Sequence, residues 1–177
     1  MEKAMLRLLQ KEVERQCQFA MIALQDMDEA SANGDGNLFW YSVQGLVMAV
    51  GRISRLLWPP DPLLPERGPE LRESLGVGED SPLRALGFVE HFEHFDRRLE
   101  TWQATSRQRR FFDCYTEPLD VLAETAPEDR FRGFDTEKNA ILFHGEPYEI
   151  DPVIRAVEEL QRRAEKQMQK PYLGPGE

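Results

Sequence analysis

The chain has 177 residues, which is enough for one domain with a sizeable hydrophobic core. A hydrophobic fraction of 41% excludes the sparse apolar composition that is typical of disordered chains. The 32 acidic residues exceed the 22 basic ones, so the net charge of −10 repels DNA and anionic lipid at long range. We therefore expect no DNA partner and no membrane partner, and RNA binding requires a local basic patch.

The cysteines and the N-terminal segment indicate a cellular compartment. Cys17 and Cys114 lack the spacing of a metal-binding pair, and the charged N-terminal segment cannot form the apolar core of a signal peptide. No apolar run approaches the ~18 residues that span a bilayer. These features predict a cytoplasmic protein whose two thiols are free and buried.

The first part of the chain predicts helices. Apolar residues recur every three or four positions over residues 2–30, which indicates a long amphipathic helix. The glycine- and asparagine-rich segment 31–37 then favours a turn. A second helix is predicted over residues 38–58, and Pro59 ends it. A proline-rich loop and a short helical turn at 70–75 follow.

A third long helix is predicted to begin at Ser81 and to run to about Thr105, because Ser81 is a favourable N-cap and Pro82 suits the first helical position. A fourth helix is predicted within residues 107–124. The third helix carries a stripe of large apolar side chains that we expect to be buried. The stripe consists of Phe88, Phe92, Phe95, Leu99 and Trp102.

The last third of the chain changes character. Short aromatic and β-branched runs between residues 131 and 150 predict a small antiparallel hairpin or meander. Asp151 then begins a last helix that runs to about Gln169, and a mobile tail is expected over 171–177. The predicted fold is mainly α: an antiparallel bundle of four to five helices with a small β appendage, in a single domain over residues 1–170.

Three polar residues lie beside the apolar stripe. Arg84, His91 and Arg98 are spaced seven residues apart, which is close to two helical turns, so they form one row on the predicted helix. One interpretation is that their aliphatic stems cover the edge of the core. The other is that the row borders a cleft or an interface, since an arginine beside a core needs a partner.

Arg84 and His91, with six residues between them, resemble the R-x4–6-H signature of the HEPN superfamily of small helical bundles. The sequence of the segment from Glu90 to Leu99 is also similar to that of bacterial HEPN-like proteins. Many members are metal-independent ribonucleases of toxin, defence and RNA-processing systems. In the family, the residue after the arginine is usually polar, whereas here it is Ala85.

The resemblance implies roles for particular residues. Arg84 would bind the scissile phosphate, and His91 would act as general acid or base on the ribose 2′-OH. His94 and Arg98 are the further candidate binding residues. The resemblance also implies a homodimer, in which two such pairs meet at a two-fold interface. A non-catalytic descendant is equally compatible with it.

The sequence is also compatible with other functions. Glu90, His91 and His94 have metal-ligand spacing, and His144 could add a ligand after folding, but no complete ligand set stands out. We expect no metal and no cofactor. A calcium loop starting at Ser31 would lack its last glutamate, so a turn is favoured there. The alternative function is a non-enzymatic module that docks a protein partner through its aromatic helix.

Overall fold

The computed structural model describes residues 1–116, 122 and 124–171. The sequence predicts one domain over residues 1–170; within that span the chain forms two compact units. The helical unit contains residues 1–86 and the described residues from Ile154 onward, and the sheet unit contains Gly87–Val153. Among all described residues, no helix combines the length and the apolar character needed to cross a membrane.

A hairpin of two long helices forms most of the helical unit. Helix α1 (Lys3–Asn33) ends at Gly34, whose φ of 68° is the left-handed conformation that favours glycine. Helix α2 (Gly36–Leu57) begins at once, because the Asp35 carboxylate accepts a hydrogen bond from the Leu38 N–H at 3.0 Å. This two-residue connection makes the helices antiparallel neighbours.

Two further helices complete the helical unit. Helix α3 (Arg67–Leu75) is longer than the short turn that the sequence predicts. Helix α6 (Asp151–Met168) enters this unit at Ile154, and Arg7 binds its C-terminal end by donating to the carbonyl of Met168 at 2.6 Å. The buried core of the four helices includes Val13, Cys17, Val43, Val50, Ile53, Leu57, Leu71, Leu75, Val157, Leu160 and Ala164.

A three-stranded antiparallel sheet lies in the other unit. Its strands are β1 (Gly133–Asp135), β2 (Ala140–Phe143) and β3 (Glu146–Glu149), in the order β1-β2-β3. Every residue of the central strand β2 is buried. In this register Ile141 lies between Phe134 and Tyr148. The prediction of a mainly helical chain with a small antiparallel sheet between residues 131 and 150 is confirmed.

The continuous helix predicted from Ser81 to Thr105 is wrong. The structure has helix α4 (Gly87–Glu93) and helix α5 (Phe95–Thr105), which meet at His94, where the backbone leaves the helical conformation (φ −111°, ψ 34°). Ser81 does not cap a helix. Its hydroxyl accepts the N–H of Leu83 at 3.3 Å, which stabilises a local turn instead.

The helix predicted within residues 107–124 is also wrong for the described residues 107–116. The backbone of Phe112 exchanges hydrogen bonds with Asp129 at 2.9 Å and with Phe131 at 2.8 Å. These bonds to a distant segment replace the local bonds of a helix. Residues 117–121 and 123 of the predicted helix, and residues 172–177 of the predicted tail, lie outside the described residues.

The aromatic stripe is only partly buried. Phe88 is 3% exposed, as predicted. The other four residues are half-buried, and helix α5 contains no fully buried residue. The prediction that the stripe is largely buried is therefore met in full by Phe88 and in part by the four later residues, which are divided between two helices that meet at His94. The centre of the aromatic packing is Phe131, which is 0% exposed and contacts the rings of Phe95, Trp102, Phe111, Phe143 and His144.

Candidate functional site

Arg84 lies outside the helices. It follows the turn at residues 82–83 in the helical unit, and its side chain is 55% exposed. Its guanidinium forms a salt bridge with Glu79 at 3.1 Å, and Arg72 binds the same carboxylate at 2.6 Å. A hydrogen bond from Trp58, followed by the charges of the two guanidinium groups, lowers the pKa of Glu79. Arg84 and His91 therefore do not share one continuous helix, contrary to the sequence-based expectation.

His91 lies on α4 in the sheet unit, where it packs against the central strand. Its imidazole stacks on the Phe143 ring, with 4.3 Å between the ring centroids and 2° between the ring planes. Burial is the main reason that the pKa of His91 falls below its usual value of 6.5, and the positive charge of Arg98 lowers it further. At neutral pH the His91 ring is uncharged.

A chain of hydrogen bonds fixes the tautomer of His91. The Tyr148 hydroxyl lies 2.8 Å from His91 Nε2 and donates its proton to Glu146 Oε2 at 3.0 Å. Because a hydroxyl has one proton and a carboxylate only accepts, Nε2 must be the donor to the tyrosine oxygen. The lone pair of neutral His91 is therefore on Nδ1. Burial and the neighbouring Glu146 carboxylate raise the pKa of Tyr148 to about 12.

His144 is the second histidine of this site. It occupies the turn between β2 and β3 with a φ of 50°, beside Gly145 at 78°. Its ring centroid lies 6.4 Å from that of His91 and 5.1 Å from that of Phe131. Burial and then the charge of Arg98 lower the pKa of His144 as well. The sheet unit therefore contains two neighbouring imidazoles that are both neutral at pH 7.

Arg98 supplies the positive charge that lowers the pKa of both imidazoles. It lies on α5 and is half-buried. No salt bridge or hydrogen bond joins its guanidinium to another described residue, and its Nε atom is shielded from solvent. An arginine in this state lacks the anion with which buried guanidinium groups normally pair. We call the five residues His91, Arg98, His144, Glu146 and Tyr148 the histidine cluster.

Three nitrogen atoms of the histidine cluster share one unusual property. His91 Nδ1, His144 Nε2 and Arg98 Nε are all shielded from solvent and have no hydrogen-bond partner among the described residues. Buried polar atoms normally find a partner, and exceptions are often found where a ligand or a reaction uses the atom. The clustering of three such atoms around one pair of imidazoles is therefore notable within the described chain.

The fourth candidate from the sequence, His94, is exposed at the junction of α4 and α5. It makes no ring contact with the histidine cluster among the described residues. The predicted metal-ligand spacing around His91 and His94 does not produce a ligand group, since no three His, Cys, Asp or Glu side chains of the described chain are placed to hold one ion.

The sequence pattern indicates His144 only as a possible metal ligand and gives no functional signal for Tyr148. The His144-Gly145 pair between two short β-rich runs indicates a tight turn, but the pattern alone does not say which helix packs there. Comparisons of this chain with protein-family models, with curated proteins and with solved structures found no match.

Proposed function

We propose that the histidine cluster cleaves RNA by metal-independent transesterification. The observation that carries this proposal is the juxtaposition of two neutral imidazoles with an arginine that has no counter-ion. Cleavage of RNA without a metal needs a base, an acid and a cation at one phosphate. His91, His144 and Arg98 supply these three groups within the sheet unit.

His91 Nδ1 is the proposed base. It takes the proton of the ribose 2′-OH, and the 2′ oxygen attacks the adjacent phosphorus. Arg98 stabilises the negative charge that develops on the phosphoryl oxygens. The bond from phosphorus to the 5′ oxygen breaks, and protonated His144 gives its proton to that leaving oxygen. The products are a 2′,3′-cyclic phosphate and a free 5′-hydroxyl.

We expect the bound phosphate to favour the protonated form of His144, which is the proposed acid. An anion near His144 favours its protonated form and opposes the effect of Arg98, so the pKa of His144 rises when RNA binds. His91 Nδ1 is shielded from solvent in the free protein. Catalysis therefore requires the side chains that cover it to separate when RNA binds.

This proposal differs in two residues from the mechanism that the HEPN resemblance implies, because it adds His144 as the acid and changes the arginine. His91 keeps its catalytic role, and Arg98 takes the phosphate-binding role that the resemblance gives to Arg84. The HEPN relationship itself stays a prediction. Arg84 is half-exposed and paired with Glu79, and its contribution to cleavage is tested with the same assay.

The experiment measures cleavage of varied RNA in the presence of a chelator. We expect products that end in a 2′,3′-cyclic phosphate, and no cleavage of the same sequence as DNA or as 2′-O-methyl RNA. His91→Gln and His144→Gln should each reduce the rate by about 10²–10⁴-fold. Arg98→Gln should reduce it by about 10²–10³-fold.

Arg97→Gln is the matched control for Arg98→Gln, because Arg97 is the adjacent arginine on α5 and is exposed. It should retain the wild-type rate. Intact RNA at high protein concentration would contradict the proposal, and so would cleavage that both histidine substitutions leave unchanged. A loss in Arg84→Ala alone would favour the original Arg84 and His91 pair instead.

The second candidate is a protein-interaction module. The observation that favours it is that α5 carries large apolar side chains, Leu99 and Trp102 among them, without burying any residue completely. A docked partner would cover such a face. In that case RNA stays intact, and Trp102 fluorescence shifts to the blue when the partner binds.

A further inference from the structure

The α1–α2 hairpin carries an apolar groove on its exposed face. The groove has a volume of about 400 Å³ and lies between the two helices. Four large side chains along it stay open to solvent: Phe19 is 48% exposed, Ile22 54%, Tyr41 75% and Met48 49%. Soluble proteins seldom leave several large apolar side chains together in water, so the groove indicates an interaction surface.

The register of the hairpin follows from one contact. A Cβ atom placed on Gly45 would lie 3.6 Å from the Cβ of Ala23, so these two residues are opposite each other. Since the helices are antiparallel, Asp26 lies at the level of Ser42, and Arg52 lies at the level of Gln16. Ten residues of helical rise separate the two levels, which is about 15 Å.

Opposite charges therefore lie at the two ends of the groove. Asp26 lines one end and Arg52 lines the other. Neither side chain forms a salt bridge with another described residue. Midway between them lie Ile22 and Met48, which are apolar and about half-exposed. The surface thus has an acidic end, an apolar centre and a basic end.

We infer that this groove binds the same groove of a second copy of the chain. A two-fold axis through the apolar centre reverses the direction of the groove, so Asp26 of each copy meets Arg52 of the other. Ile22 and Met48 then pack against their own counterparts on the axis. The two hairpins together form a four-helix bundle, which is the usual way for paired amphipathic helices to bury a shared face.

The opposite charges at the two ends of the groove match a second copy of the groove better than they match an unrelated apolar ligand. An apolar peptide would need no pair of opposite charges at the groove ends. In an isologous dimer, each acidic end pairs with the basic end of the other copy, so two ion pairs form. The inference rests on the helical unit alone and does not depend on the proposed cleavage of RNA.

The oligomeric state is measured by sedimentation equilibrium on the full chain. We expect wild-type protein to have twice the chain mass of 20.5 kDa. Ile22→Arg places a charge at the axis and should raise the dissociation constant by about 30-fold or more. Leu63→Arg is the matched control, because Leu63 is 101% exposed and lies outside the groove. Its mass should equal that of the wild type.

Charge reversal tests the direction of pairing. Asp26→Arg alone leaves both groove ends positive, and Arg52→Asp alone leaves both negative, so each variant should be monomeric. An equimolar mixture of the two variants should form a heterodimer, because each positive end then meets a negative one. The circular dichroism melting curve of each variant checks that the hairpin still folds.

Three results would overturn the inference. The first is a wild-type protein that stays monomeric at about 100 μM, well above the dissociation constants of specific dimers. The second is a dimer that folded Ile22→Arg leaves intact, since the interface would then lie elsewhere. The third is a pair of charge-reversed variants that fail to associate with each other although the wild type dimerises.

Discussion

The His91 imidazole stacks face to face on the Phe143 ring, with 4.3 Å between the centroids and 2° between the planes. The contact joins helix α4 to the fully buried strand β2. It also explains why the ring stays neutral, since an apolar ring on one face removes water that would solvate a charge.

The stability of the protein should fall as the pH decreases below 6.5. Folding lowers the pKa values of His91 and His144 below the 6.5 of the unfolded chain. The unfolded state therefore binds more protons in this range, and the stabilisation that is complete above pH 6.5 is lost as the pH falls through the folded pKa values. Urea midpoints measured between pH 8 and pH 5 check this expectation.

The matched comparison is the double substitution His91→Gln and His144→Gln. Because it removes both titrating groups, the double variant should lose less stability between pH 7 and pH 5 than the wild type does. Equal slopes for the two proteins would mean that the histidines titrate alike in the folded and unfolded states.

Arg98→Met should raise the pKa values of both histidines. The guanidinium charge lowers both values in the wild type, and methionine keeps the aliphatic stem while it removes that charge. Titration of the imidazole C–H proton signals by NMR measures the change. The neighbouring substitution Arg97→Met serves as control and should leave both values where they are.

Tyr148→Phe should remove the hydrogen bond that holds the proton of neutral His91 on Nε2. In the wild type, nitrogen NMR at neutral pH should find the proton on Nε2, which donates to the tyrosine oxygen. Loss of the hydroxyl removes that acceptor and a link to Glu146, at a cost of about 1 kcal/mol in stability. A wild-type spectrum with the proton on Nδ1 would contradict the deduced direction of the hydrogen bonds.

Phe131→Ala should be the most damaging aromatic truncation in the sheet unit. Phe131 is 0% exposed and contacts five other rings, so its loss should cost about 3–5 kcal/mol. Phe92→Ala should cost less, because Phe92 is only half-buried. Urea unfolding of both variants compares them, and a larger loss in Phe92→Ala would overturn this ranking.

Periodicity alone predicted the two long helices, because each has an apolar stripe at helical spacing. The helices predicted over 2–30 and 38–58 correspond to α1 and α2, and their ends differ by only a few residues. The N-cap signal at Ser81 was misleading, because the same hydroxyl can close a turn when the next residues favour one. The segment after residue 106 was mispredicted because its backbone bonds a distant segment.

The sequence by itself determined the mainly helical class and the position of the small sheet. These depend on patterns of neighbouring residues, which local hydrogen bonding and burial of one face convert into elements. Only the tertiary structure brought His144 and Tyr148 to His91, from positions more than 50 residues away along the chain. Such proximity depends on which faces pack together and where a turn reverses the chain. The spacing of residues around His91 predicts neither of these features.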